Sequence, residues 1–295
     1  MKKTFALVML LCIALGAQAQ LLWKVSGNGL DHPSYVMGTH HLAPLSIKDS
    51  IASLPQAIGQ TGQVYGEIIM NDATTNPEIM GKMQQAMMLP ADTTLKSLFT
   101  QAEYDTIAAV VKNYIGVDLA LFEKLKPATV TTQLAVALAM KAVKGFNPQE
   151  QLDTWFQTQA QQAGKKVGGL ESIDHQINVL YNSQPLARQA QLLHCTATHI
   201  GQSIDQGVRM TEAYMKQDLD ELLAITEEKM NDACDSTPEE MDVLIYDRNA
   251  DWVRKMPDIM KQTPTLFVVG AGHLPGPRGV LKLLQKQGYN VEPMK

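Results

Sequence analysis

The sequence predicts a helix-rich α/β protein, with a mixed central sheet built from both chain ends and a large helical middle between them. Three observations carry this. Strand-like runs are few and cluster near the ends; the stretch from about 77 to 262 is dominated by apolar residues at helical spacing; and two short segments at opposite ends share one form. These are Val36-Met37-Gly38-Thr39-His40-His41 and Val268-Val269-Gly270-Ala271-Gly272-His273. In each, an apolar run passes into a glycine and a histidine follows three residues later. The pattern sets an imidazole just beyond the carboxyl end of a strand, where open α/β sheets hold their ligands. About half a Gly-x-x-His match arises by chance at this composition, and the chain has three. The third, Gly29 to His32, sits in a polar turn before a strand and reads as loop.

Taken in order, residues 1–19 have the form of a secretory signal. Lys2 and Lys3 give the positive start, Phe5 to Leu15 the apolar run, and Ala17-Gln18-Ala19 a small-x-small cleavage site. The run is shorter than the roughly 20 residues of a bilayer span, and Met9-Leu10-Leu11-Cys12 lacks the small residues that precede a lipidated cysteine. The expectation is export to a bacterial periplasm or beyond, with residues 20–295 as one domain carrying a helical insertion over about 77–262. Loss of Lys2 and Lys3 leaves 23 basic against 30 acidic residues, a net charge of −7. That balance excludes partners that need a basic face, nucleic acid and anionic lipid among them.

Leu21 to Val25 and Ser34 to Met37 read as a hairpin around a Gly/Asn turn. Gln63-Val64-Tyr65 leads into Gly66-Glu67. Pro77 to Met88 carries a methionine stripe at helical spacing, which reads as core, the alternative being a flexible groove for a hydrophobic ligand or peptide. Ala128 to Ala142 is apolar enough for a buried helix. Helical patterns follow at Leu152 to Ala163, Ile173 to Tyr181, Leu186 to Met215, Leu219 to Met230 and Pro238 to Lys261, with a short strand at Lys165 to Glu171 among them. Thr265 to Val269 is a continuous apolar run suited to a buried parallel strand. A helix from Gly279 to Gln287, stopped by Gly288, precedes a last strand at Tyr289 to Pro293. After the signal only Cys195 and Cys234 remain, and in an oxidising compartment they form either a disulfide or two buried thiols.

His41 and His273 are the residues most suited to chemistry. Brought together, they offer two neutral nitrogen ligands to Zn, Mn, Fe or Co. Glu67, ending the apolar run at Gln63–Gly66, taken alone reads as a helix-entry or salt-bridge acid; beside both histidines it supplies the carboxylate, because an unpaired acid there is costly to bury. Two histidines, one glutamate and an open position make a hydrolytic metal site. Glu171, ending the run at Val167–Leu170, is placed to accept a proton or to hold a histidine's second nitrogen, unless it caps the next helix. Arg248 is either an oxyanion-stabilising fork or a surface arginine. His40 is a supporting or substrate-facing group, and His194 and His199, five apart on a helix, read as ordinary. No Gly-x-Ser-x-Gly elbow, phosphate loop or dinucleotide fingerprint occurs.

Leu22-Trp23-Lys24-Val25, Gly38-Thr39-His40-His41, Tyr65-Gly66-Glu67, Gly169-Leu170-Glu171, Arg248-Asn249 with Trp252, and Val268 to His273 together resemble the TraB/GumN family, related to the Tiki proteases of animals. The resemblance runs from Leu22 to Val291. It implies an erythromycin esterase/ChaN-like fold and peptidase-type hydrolysis assisted by Mn or Co, with Zn suiting the same donors. Carried onto this chain, it implies His41, Glu67 and His273 as metal ligands, with Glu67, Glu171 and Arg248 as the catalytic set. The expected function is a secreted metal-dependent hydrolase of peptides or proteins. The alternative is a non-catalytic periplasmic protein that sequesters a peptide or haem, the histidines being ligands or plain polar contacts.

Overall fold

A computed structural model describes residues 20–294, so the expected signal segment, 1–19, lies outside the described residues. Strands β1 (Leu22–Ser26), β2 (Ser34–Thr39), β3 (Gln63–Gly66), β4 (Lys166–Gly169), β5 (Thr265–Gly270) and β6 (Asn290–Pro293) form one sheet in the order β4-β3-β5-β2-β1-β6. The first four of that order run parallel, and β1 is antiparallel to both β2 and β6. Strands from the two chain ends therefore lie side by side, as the sequence predicts.

Composition explains the positions. β2 is buried at every residue and β5 at all but its last, the near-continuous apolar pattern of strands covered on both faces. Only Val291 of β6 is buried, and Pro293, which has no N–H for a further partner, is tolerated because β6 is an edge. Gly38 is needed for room rather than for backbone freedom. A Cβ there would lie 2.8 Å from Leu274 Cδ1 and 3.2 Å from Ala271 Cα, in the turn that follows β5.

The helices are α1 (Leu54–Gln60), α2 (Met70–Thr75), α3 (Pro77–Met87), α4 (Gln101–Tyr114), α5 (Pro127–Ala142), α6 (Leu152–Gln162), α7 (Ile173–Ile177), α8 (Leu186–Thr198), α9 (Ile200–Met215), α10 (Leu219–Thr226), α11 (Pro238–Met241), α12 (Asp247–Gln262) and α13 (Val280–Lys286). Among the described residues, β4 is the only strand between α3 and α12. The main core packs on the sheet and includes Tyr35, Met37, Phe156, Tyr214, Trp252 and Phe267. A second cluster, with Ile107, Val111, Val130 and Leu193, lies between α4, α5 and α8.

Several expectations are corrected. The methionine stripe of α3 is not core: no residue of that helix is buried and Met80 is 48% exposed, because α3 lies at the surface against α2, α7 and the π turn Asn178–Asn182. The helix expected over Leu186 to Met215 is two, α8 and α9, broken at His199, whose backbone (φ −103°, ψ 35°) leaves the helical range. A π turn, Asp242–Tyr246, separates α11 from α12. α5 is buried along one face only, with Met140 turned outward. Cys195 and Cys234 form the disulfide, which by chain entropy alone confers about 4 kcal/mol for a closed loop of this length.

Candidate functional site

The parallel half of the sheet brings four carboxyl ends into one row. In register, Gly66 faces Gly169 across β3 and β4, Gly66 faces Val268 across β3 and β5, and Thr39 faces Gly270 across β2 and β5. Adjacent strands lie roughly 4.8 Å apart. Glu171, Glu67, His273 and His41 each follow directly on one of these ends, so residues remote in sequence become neighbours.

Arg248, from the first turn of α12, lies behind them with its side chain only 5% exposed. Its Nη2 donates to Glu67 Oε2 (2.5 Å) and Glu171 Oε1 (2.8 Å), and Nε donates to Glu171 Oε2 (3.0 Å). Nη1 donates to the Leu244 carbonyl (2.9 Å), in the π turn, and faces His273 Nε2 (3.1 Å). The five N–H groups of a guanidinium thus have five acceptors. The Trp252 ring lies 4.8 Å from the guanidinium carbon. Burial disfavours its charge, but hydrogen bonding and the charges of Glu171 and Glu67 outweigh burial and raise the pKa. The bland expectation of a surface arginine is therefore corrected.

Glu171 serves that arginine. Besides Arg248 it accepts from Trp252 Nε1 and Gln176 Nε2, both at 3.2 Å. It does not cap the next helix, since Ser172 accepts from His175 N there. Nor does it hold the second nitrogen of His273. Asn249 does: its Nδ2 donates to the carbonyls of His273 (3.2 Å) and Arg278 (3.0 Å), so its Oδ1 must be the acceptor for His273 Nδ1 at 2.7 Å. The proton is thereby fixed on Nδ1, and the Nε2 lone pair points into the site. Burial lowers the His273 pKa to about 4, and the imidazole is neutral at pH 7.

Glu67 is fixed just as firmly. Oε1 accepts from Gly270 N (2.8 Å) and lies 3.9 Å from His273 Nε2; Oε2 takes Arg248 and Gln176 Nε2 (3.2 Å). Burial opposes ionisation, but the Arg248 charge and the Gly270 N–H help overcome it and hold the carboxyl below its ordinary pKa.

His41 differs. Its side chain is 59% exposed and its Nδ1 lies 3.1 Å from Asp153 Oδ2, an acid on α6 that is 8% exposed. Thr39 Oγ1 donates to Asp153 Oδ1 (2.9 Å), whereas Oδ2 is off the axis of a hydrogen bond, so the contact to His41 is an ion pair. The Asp153 charge raises the His41 pKa to about 9. His40 turns the other way, its Nε2 3.3 Å from Thr211 Oγ1 and its ring edge-on to Tyr214. Burial and the charge on His41 lower its pKa to about 4.

The donors decide whether a divalent ion fits. A fixed imidazole lone pair and an ionised oxygen 3.9 Å apart, with a second imidazole on the neighbouring strand, are the donor types that Mn, Co and Zn take. The three donor atoms do not all lie within 4.8 Å of one another. For one ion to bind all three, His41 has to turn in from solvent, and Arg248 Nη1 has to give up the His273 lone pair.

Asp153, Asn249, Gln176 and Thr39 escape the sequence reading as site residues. Asp153 left a trace, since it falls with Phe156, Gln157 and Ala160 on the buried stripe of α6, where an acid needs a partner.

Fold and site together define a helix-rich α/β protein with a titratable centre at the carboxyl edge of its parallel strands. Over residues 21–293 the chain matches the model of the TraB/PrgY/gumN family, and it belongs to that family. It is similar to a zebrafish (Danio rerio) protein named Metalloprotease TIKI2, with 24% identity over 318 aligned residues. The match takes in 92% of this chain and 60% of the zebrafish protein's length. No solved structure matches the chain.

Proposed function

We propose that this protein is an exported, metal-dependent hydrolase of peptides or proteins. His41, Glu67 and His273 are the ligands, Mn or Co the ion, and Zn suits the same set. The observation that carries this is the gathering of these three side chains at adjacent strand ends in front of a buried arginine. A divalent ion bound there supplies Lewis acidity and a water of pKa about 7.

The chain's own residues account for the rest. Asn249 keeps the His273 lone pair aimed into the site, and Gly270 N does the same for Glu67 Oε1. Arg248, once its Nη1 leaves the His273 lone pair, offers an N–H to the oxyanion of a tetrahedral intermediate, which a preorganised buried donor stabilises best. Glu171, fully engaged by Arg248, Trp252 and Gln176, positions that arginine.

Two recesses lie near these residues, the first bordered by Glu171 and the second by Leu42, next to His41 in sequence, and by Thr211, against His40. One of about 400 Å³ is lined by Glu171, Ile69, Ile79 and Lys82, and one of about 250 Å³ by Leu42, Leu138, Val208 and Thr211. They suit substrate groups on either side of a scissile bond. The zebrafish relative's name, a metalloprotease, supports the peptidase reading. The signal-like start supports export, as does the disulfide. No helix among the described residues is long and apolar enough to cross a membrane.

The test is cleavage of a peptide library by the purified protein before and after chelation. Activity is expected to fall on chelation, to return with Mn or Co, and to vanish in His41→Ala with the circular dichroism unchanged. His273→Ala is expected to behave alike. Full activity in both variants refutes the proposal.

A further inference from the structure

Among the described residues, one set of three His, Cys, Asp or Glu side chains has ligand atoms mutually within 4.8 Å, and it is not at the strand ends: His199, Asp232 and Cys234. Cys234 is bonded to Cys195, so a second sulfur lies beside the set. Cys195 and His199 are four apart at the end of α8, on one face of the helix, where His199 N donates to the Cys195 carbonyl (2.9 Å). While the disulfide stands, neither sulfur is a thiolate, and only the imidazole and the carboxylate offer donors.

The geometry points to a reduction-gated zinc site: once the disulfide is opened, Cys195, Cys234, His199 and Asp232 bind one Zn²⁺. Two thiolates, an imidazole and a carboxylate are all tetrahedral zinc donors. A dithiol supplies the two electrons and two protons that convert the disulfide to two thiols and closes to its own disulfide. Each thiol then releases its proton to solvent as its sulfur binds the ion.

The opposing segment keeps its place without the S–S bond. Arg188 donates to the carbonyls of Ala233 (2.6 Å) and Asp235 (2.7 Å), and its Nε donates to Glu240 Oε1 (2.7 Å). The Asp235 carboxylate accepts from Met230 N (2.7 Å) and Asn231 N (2.9 Å). Asp232 Oδ1 accepts from Cys234 N (2.8 Å), which fixes the spacing of those two ligands. The residues that face one another across the bond therefore still face one another after it is cut. Zinc would then pin the segment to α8 in the disulfide's stead.

The test uses the full chain carrying Cys12→Ser, which leaves Cys195 and Cys234 as its only cysteines. Oxidised protein, and protein reduced with a dithiol that is then removed under argon, are titrated with Co²⁺. The reduced form is expected to gain thiolate-to-cobalt charge-transfer absorption, erased by Zn²⁺, and the oxidised form to lack that band. His199→Ala and Asp232→Asn are each expected to weaken binding about tenfold or more, since loss of even a supporting partner costs a metal site that much. His273→Ala is expected to leave the thiolate charge-transfer band unchanged, which separates this site from the strand ends. A reduced protein without the thiolate band overturns the proposal, whether or not its near-UV circular dichroism survives. So does a band whose affinity neither His199→Ala nor Asp232→Asn alters.

Discussion

His41 and Asp153 show how one buried acid sets the character of a neighbour that solvent reaches. The folded pKa of His41, about 9, stands above its ordinary 6.5. The pair's contribution to stability is therefore complete below about pH 6.5 and is lost as pH rises through 9. His41 is largely exposed, so that contribution is held to about 1 kcal/mol or less by solvent screening. In metal-free Asp153→Asn protein, an NMR titration of the His41 ring is expected to show its pKa falling from about 9 toward 6.5. A midpoint left near 9 shows that Asp153 is not the cause. At this scale the sequence is partly legible. His41, His273, Glu67 and Glu171 announce themselves because each ends an apolar run, where a polar side chain needs a reason. Asn249 does not, because what it does depends on the carbonyls of His273 and Arg278, which only the folded chain brings to it.

Where strand meets helix, the end of β3 is held against α6 by Gln157. Its Nε2 donates to the Ile68 carbonyl (2.8 Å) and its Oε1 accepts from Met70 N (2.9 Å). A Cβ at Gly66 would collide with Gln157 Nε2 and lie 2.9 Å from the Ile68 oxygen. Gly66→Ala is therefore expected to displace the residues around Glu67, destabilising the protein by about 1–3 kcal/mol as overpacking does. Denaturant unfolding and peptide cleavage measure the two effects, and a variant equal to wild type in both refutes the contact. Strands are well read from the sequence, since runs such as Thr265–Gly270 are continuous and apolar. Helices are read less well. α4 carries a Thr100–Glu103 capping box, yet its weakly apolar pattern hides it among polar residues. The π turn before α12 shifts the register that helical spacing assumes.

For the molecule as a whole, the two ends of the described residues meet. Trp23 pairs with Pro293, and Met294 N donates to the Leu22 carbonyl at 2.8 Å. A permuted chain that joins 294 to 20 through a short glycine-rich linker and opens between the exposed residues 149 and 150 is expected to fold. Its near-UV circular dichroism and thermal midpoint are expected to match the parent's within a few degrees; a chain without tertiary signal disproves the closeness of the ends. The sheet order is only half legible. Apolar runs reveal the strands, but that β5 inserts between β2 and β3 is decided by packing across more than 200 residues.

That insertion has a consequence for when the candidate site comes together. Until residue 273 has been made, the row of strand ends has a gap where β5 belongs. Glu67 then lacks Gly270's amide, and Arg248 lacks the imidazole in front of it. A ribosome-bound chain that ends before β5 therefore lacks the assembled row, and contacts of such long sequence separation form slowly. The order of synthesis alone leaves this row of side chains incomplete until β5 and the turn after it have been made.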